Sequence, residues 1–157
     1  MGLDMFLNRK KYIGANYEHR KVDAFISITI GGKKIPIDIE KLSYIEEAVG
    51  YWRKANQIHN WFVENVQDGE DDCKSYSVSI EDLKELLDLC KEIELEPSKA
   101  EELLPTCKGF FFGSTDYDES YMEDIKYTIE LLEKLIKEEE EYNKDGFYSE
   151  FEYFSSW

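Results

Sequence analysis

Residues 48–63 read AVGYWRKANQIHNWFV, a helical pattern whose apolar side also carries polar side chains. At about 100° per residue the apolar positions fall on one broad face, which predicts a long amphipathic helix from Leu42 to Val66 with a weak point at Gly50. His59 lies near the centre of that face, and Asn56 lies one turn away. A buried imidazole or amide without a hydrogen-bond partner costs about 1–3 kcal/mol, so the helix is expected either to hold a specified polar network or to line a pocket.

The chain before this helix carries strand patterns. A rough apolar alternation over residues 2–7 predicts a strand, and the basic residues 8–11 after it are interpreted as a loop. Residues 24–30 alternate cleanly and are rich in β-branched side chains. They are followed by Gly31-Gly32 and by a second apolar run over residues 33–39, which predicts a hairpin.

The chain after the helix carries helical signals and a final strand pattern. Ser79 with Asp82 three residues later predicts a capped helix. A second long helix is predicted from Asp118 to Tyr142, and the run Glu138–Glu141 is interpreted as its solvated end. The aromatic residues 147–157 alternate in part, which predicts an edge strand.

Together these elements predict one α+β domain that spans residues 1–157, because strands and helices do not alternate strictly along the chain. We expect a small antiparallel sheet, built from the N-terminal strand, the hairpin and a C-terminal edge strand. This sheet would pack against two long helices and shorter ones, with an acidic, aromatic tail from about residue 143.

The charge of the chain is strongly acidic and uneven. The net charge is −16, with +3 in residues 1–41 and −19 in residues 42–157. Such a surface repels nucleic acid and anionic membranes, so direct contact with either is not expected. It suits a basic protein partner, including one whose nucleic-acid groove the chain would block by mimicry. Solubility alone is the other explanation of this charge.

Cellular location is predicted from two further patterns. No stretch approaches the roughly 20 apolar residues of a membrane span. The three cysteines are widely spaced and contain no CxxC pair, which favours a reducing cytoplasm. The aromatic residues 147–157 would serve as core or as a contact between copies of the chain, so a homo-oligomer is one expectation.

Two clusters carry candidate ligand-binding chemistry. In the first, a tryptophan could stack on a planar ring, two cations could neutralise a phosphate or carboxylate, and polar groups could form hydrogen bonds with the edge of a base or with an amide. Its residues are Trp52, Arg53, Lys54, Asn56 and His59. The second cluster lies in residues 109–118 and contains Ser114, Thr115, Asp116 and Tyr117. This segment is predicted to form either a strand or a close approach of the backbone to another group, and then to start a helix. The alternative for both clusters is structural, with the aromatic residues in the core and the charges in solvent.

Enzyme signatures are weak in this chain. His19 and His59 are the only histidines, and no HExxH, Walker, GxSxG or Cys–His motif is present. The sequence assigns no catalytic residue, metal or cofactor, and it favours a binding protein over an enzyme.

Three stretches of the chain resemble one family. They are the opening MGLDMFL, the middle YWRKANQIHNWF and the later GFFFGSTDYD. In this order they resemble a family of small, uncharacterised proteins of tailed phages and prophages. The resemblance implies a phage accessory protein that acts in the cytoplasm of the bacterial host. It carries over no catalytic residue, and it favours the treatment of residues 51–62 and 109–118 as one shared site.

Three functions follow as hypotheses. The favoured one is a phage protein that counters bacterial defence by binding and sequestering a small anionic, nucleotide-like ligand. The alternative is an acidic protein that directly inhibits a host defence protein as a nucleic-acid mimic. The third is a nucleotide-processing enzyme that uses His59 and an acid.

Overall fold

Four antiparallel strands in the spatial order β4-β1-β6-β5 form the main sheet of the computed structural model, which describes residues 2–14, 18 and 25–157. The strands are β1 (Asp4–Tyr12), β2 (Ile28–Ile30), β3 (Lys33–Ile35), β4 (Tyr44–Arg53), β5 (Tyr76–Val78) and β6 (Ser149–Ser156). The helices are α1 (Asn56–Asn65), α2 (Ile80–Leu95), α3 (Ala100–Leu103) and α4 (Glu119–Lys144), with single 3-10 turns at Ile39–Lys41 and Pro97–Lys99. The predicted α+β fold class is confirmed.

The core lies between one face of the sheet and the helices. Met5 and Leu7 of β1 and Phe151 and Tyr153 of β6 are buried on that face, as the two-residue period of a strand requires. Helices α2 and α4 run antiparallel, since Lys84 pairs with Glu140 and Lys91 with Glu133. Their buried residues include Leu86, Cys90, Ile125 and Leu132. None of the helices within the described ranges is long and apolar enough for a membrane crossing.

The helix predicted from Leu42 to Val66 is wrong over its first half. Residues 44–53 form β4, which pairs with β1 along its whole length. A bulge leaves Val49 as an extra residue, because Leu7 pairs with Gly50 and Asn8 with Ala48. The extra residue breaks the two-residue alternation of the strand, so its apolar positions imitate a helical period. Lys54, with φ of 62°, then ends the strand before α1 begins.

Three other expectations about the sheet need correction. The basic residues 8–11 belong to β1 and are not a loop, because each pairs with both β4 and β6. The hairpin forms around Gly31-Gly32, but β2 and β3 make a separate two-stranded sheet, and β4 takes its expected place. The C-terminal strand is an interior strand between β1 and β5, not an edge. Part of the predicted hairpin, residue 24, lies outside the described residues.

The helix predictions in the second half of the chain agree with the structure. Ser79 and Asp82 form the expected capping box at the start of α2. The acidic run at the end of α4 is not simply solvated, however. Glu139 is 3% exposed, and its carboxylate accepts hydrogen bonds from the backbone N–H and the hydroxyl of Ser149, at 2.9 and 2.6 Å. This residue therefore ties the end of α4 to the start of β6.

Candidate functional site

Asn56 stands at the first turn of α1 and holds the segment that follows α3. Its amide nitrogen donates to the carbonyl oxygens of Phe112 and Ser114, at 3.0 and 2.7 Å, and its amide oxygen accepts from the backbone N–H of Cys107 at 3.1 Å. The side chain is 1% exposed. These contacts bring the two predicted clusters together, and they use both N–H groups and one lone pair of the Asn56 amide.

His59 lies one turn further along α1 and is also buried. Its Nδ1 lies 2.7 Å from the hydroxyl of Tyr153, and its Nε2 lies 3.0 Å from a carboxylate oxygen of Asp71. The ring of Phe112 packs edge-on against the imidazole. With both nitrogens bonded and 1% of its surface exposed, His59 belongs to a polar network in the core. The imidazole has a structural role in this network, and its use as a catalytic base stays a prediction.

Trp52 is a core residue of β4. It is 2% exposed, and its indole N–H donates to the Thr128 hydroxyl of α4 at 2.9 Å. The ring packs against Phe62 and Tyr127. Trp52, Asn56 and His59 are therefore buried and bonded to other parts of the protein, and their contact with a ligand stays a prediction.

Four of the nine predicted residues do share one cleft. Arg53 and Lys54 lie on one wall, and Ser114 and Asp116 lie on the other, around a cavity of about 210 Å³. Gly113 makes this approach close: its φ is 89°, and a Cβ built there would lie 3.1 Å from the Lys54 Cβ. The segment before α4 is thus the tight backbone approach that the sequence allowed, not a strand.

Thr115 and Tyr117 stabilise the same segment from behind. The Thr106 hydroxyl donates to the Thr115 carbonyl oxygen at 3.0 Å, and the Thr106 backbone N–H donates to the Tyr117 hydroxyl at 3.2 Å. Neither residue lines the cleft. They position Ser114 and Asp116, and are not expected to touch a ligand.

The remaining wall of the cleft comes from residues that the sequence analysis did not select: Gln57, Thr106, Asp118, Ser120, Tyr121 and Asp124. Asp118 caps α4 by accepting from the Tyr121 N–H at 3.1 Å. Asp124 accepts from the Gln57 amide at 3.1 Å. Burial raises the pKa of the Asp124 carboxyl, and the Gln57 hydrogen bond opposes that effect. The cap position of Asp118 could be read from the sequence, but the approach of Gln57 to Asp124 could not, because Gln57 belongs to α1.

Three carboxylates and two cations therefore face each other in the cleft. Asp116, Asp118 and Asp124 outnumber Arg53 and Lys54. Arg53 also lies 3.9 Å from a carboxylate oxygen of Asp4, outside the cleft. Within the described part of the chain, Asp124 forms no ion pair. This balance favours a cationic group in the cleft over a phosphate.

The cleft lies in a strongly acidic part of the molecule. Residues 92–124 contain ten Asp/Glu and two Lys, a net charge of −8, which is half of the −16 carried by the whole chain. Because α2 and α4 are antiparallel, the end of α2, the α3 segment and the start of α4 meet at one end of the helical layer. We call this surface, residues 92–124, the acidic end.

No metal-binding arrangement of three or more His, Cys, Asp or Glu side chains occurs among residues 2–14, 18 and 25–157. Comparison with protein-family models, curated proteins and solved structures finds no match for this chain. Function must therefore be argued from the site itself.

Proposed function

We propose that this protein acts by binding a basic surface of another protein through its acidic end. The observation that carries the proposal is the net charge of −8 there, around a cleft whose partly buried Asp124 carboxylate lacks a cationic partner among the described residues. Such a field accelerates encounter with a basic partner and selects against acidic ones.

The size and charge of the cleft fit a side chain better than a nucleotide. Its 210 Å³ is below the roughly 300–1,000 Å³ of typical small-molecule sites. A lysine or arginine of the partner, inserted between Asp116 and Asp124, would neutralise the surplus carboxylates. Arginine is among the residues that most often dominate the binding energy of protein interfaces.

The resemblance to phage and prophage proteins supplies the setting of this proposal. In that setting the partner is a host defence protein in the bacterial cytoplasm. A nucleic-acid-binding groove is the kind of basic surface that an acidic protein blocks by occupying it.

The experiment compares two triple charge reversals that alter net charge equally. The test variant is Glu94→Lys/Glu101→Lys/Glu102→Lys on the acidic end, and the control is Glu64→Lys/Glu81→Lys/Glu150→Lys elsewhere. All six residues are exposed and form no ion pair within the described ranges. Wild type and both variants are immobilised, exposed to bacterial lysate, and the retained proteins are identified by mass spectrometry.

We expect wild type and control to retain the same basic protein and the acidic-end variant to lose it. The purified partner should then bind in a salt-dependent manner, and double-stranded DNA should compete if mimicry is the mechanism. Equal loss in both variants would mean that net charge alone drives retention. Either that result or the absence of a common partner would reject the proposal.

Capture of a small ligand is the second candidate, because Arg53, Lys54, Ser114 and Asp116 do converge on one cleft. Native mass spectrometry with linear and cyclic nucleotides tests it. A mass increment that is lost in Arg53→Ala and kept in the exposed control Lys126→Ala would support sequestration. An unchanged mass with every nucleotide would remove this candidate.

A further inference from the structure

The hairpin formed by β2 and β3 exposes an apolar face. Every residue of both strands is solvent-exposed. Ile28 pairs with Ile35 across the hairpin and Ile30 lies two residues from Ile28, so the three isoleucine side chains share one face. An isolated two-stranded hairpin is at best marginally stable in water. This hairpin is therefore expected to have a binding surface that covers its isoleucines.

A groove with complementary properties runs between β4 and α4. Two adjoining cavities of about 500 and 630 Å³ share Arg9, Lys134 and Glu138 in their walls. The first of them is lined by apolar side chains of both elements: Ala48, Val49, Tyr127, Leu131 and Leu135. The groove follows α4 from Tyr127 to Asp145, about 27 Å at 1.5 Å per residue.

The rim of this groove is an open sheet edge. Within the described residues, β4 pairs only with β1, so alternate N–H and C=O groups along its ten residues point away from the sheet. An added strand would pair with those groups and direct every second side chain into the groove beneath. The open edge of β4 and the apolar lining of the groove are therefore adjacent.

The charges of the two surfaces are opposite. Residues 25–35 contain Lys33 and Lys34 and no acid, which gives +2 against −18 for the rest of the chain. The groove is lined by five carboxylates, of Glu47, Glu130, Glu138, Glu141 and Asp145, and by four cations, of Arg9, Lys11, Lys134 and Lys137, which gives a net charge of −1. Glu130 has no ion-pair partner in the described part of the chain, whereas Glu47 and Glu138 both pair with Arg9. The hairpin therefore matches the groove in apolar character and in strand edges, and the net charges of the two surfaces are opposite in sign.

We propose that the hairpin of one copy docks in the groove of a second copy, with one hairpin strand added to the edge of β4. Two-fold symmetry makes the contact reciprocal, so the dimer holds two identical hairpin-to-groove contacts and closes without forming fibres. The inference is independent of the proposed function, because residues 92–124 contribute to neither surface.

The test uses sedimentation equilibrium of the full chain from micromolar to submillimolar concentrations. Ile30→Lys disables the hairpin, and Ala48→Arg places a bulky charge in the groove. Leu95→Lys is the matched control, since Leu95 is an exposed aliphatic residue on α2 outside both surfaces. Circular dichroism verifies that each variant is folded.

We expect wild type and Leu95→Lys to dimerise. Burial of one isoleucine corresponds to a ten- to hundredfold change in affinity, so Ile30→Lys should weaken the dimer at least about tenfold. Ala48→Arg should act in the same direction. An equimolar mixture of the two variants should recover a heterodimer, because the intact hairpin of the Ala48→Arg copy fits the intact groove of the Ile30→Lys copy.

Several outcomes would overturn the proposal. Wild type that stays monomeric throughout the range would do so. A dimer that survives Ala48→Arg but not Ile30→Lys would mean that hairpins pair with each other. A mixture no more dimeric than its components would exclude a reciprocal contact.

Discussion

Replacement of Asn56 by alanine should loosen the wall of the cleft and destabilise the whole domain. The Asn56 amide makes three hydrogen bonds that alanine cannot replace, to Phe112, Ser114 and Cys107. They hold a segment that has no regular secondary structure between α3 and α4. The substitution thus removes the main polar link between the start of α1 and that segment.

The magnitude follows from the groups left without partners. Two carbonyl oxygens and one N–H lose their bonds, and a buried polar group left unpaired costs about 1–3 kcal/mol. Because two of the three bonds are only partly buried, we take the lower value for each and expect a loss of about 3 kcal/mol. For an unfolding slope of about 2 kcal/mol/M in urea, the midpoint should fall by about 1.5 M.

The assay is urea unfolding followed by fluorescence, with Asn65→Ala as the control. Asn65 donates one bond at 2.9 Å to the Trp61 carbonyl oxygen, at the opposite, C-terminal end of α1. Its loss should cost less than about 0.5 kcal/mol. Hydrogen exchange should also accelerate at residues 107–116 in Asn56→Ala. A loss below about 1 kcal/mol, or one matched by Asn65→Ala, would refute the role we assign to Asn56.

Three further predictions concern carboxylates. Glu139→Ala should cost about 2–3 kcal/mol by calorimetry, since it removes two charge-assisted bonds to Ser149, whereas the neighbouring exposed Glu140→Ala should cost under about 0.5 kcal/mol. Asp124→Asn should raise the unfolding temperature at pH 7 while weakening partner binding. Burial raises the pKa of Asp124 above its value of about 3.9 in the unfolded chain, so ionisation of this carboxyl destabilises the folded wild type as the pH rises above that value. The stability gained in Asp124→Asn should therefore shrink as the pH is lowered toward that value. A gain that did not shrink would contradict this prediction. The hydrogen bond from Arg9 lowers the pKa of Glu47. Its stabilising effect is therefore present above about pH 4.3 and is lost as the pH falls through the lowered pKa. Glu47→Gln should flatten this loss of stability at acidic pH in urea titrations, and an acid limb identical to that of wild type would contradict the assignment.

The elements that the sequence predicted best are those specified by local signals. The capping box of Ser79 and Asp82 and the regular apolar period of α4 are contained in single segments. Strand β4 was missed because its conformation depends on β1, a distant segment, and because the bulge at Val49 disguised its alternation. Gly50, which seemed a weak point of a helix, instead packs against Leu7 in the sheet.

The candidate site was predictable only in part, for a similar reason. The family resemblance favoured one shared site for residues 51–62 and 109–118, and Asn56 does join the two stretches. Whether Asn56 and His59 face a ligand or the core depended on Phe112, Asp71 and Tyr153, which come from distant parts of the chain. The acidic wall was missed because Asp124 contacts the cleft only through the packing of α4 against α1.

The interior position of β6 has a consequence for how the domain folds. Its two neighbours are β1 and β5, and Asp4 pairs with Ser156, a sequence separation of 152 residues. Closure of a loop of that length costs about 4 kcal/mol of chain entropy, and this cost arises before the packing of β6 can offset it. We therefore expect insertion of β6 to be a late and slow step, and a species without it to expose open edges of both neighbours. Lys10 on the open edge of β1, and Glu150 and Glu152 on the unpaired β6, would then act as gatekeepers against aggregation until the sheet is complete.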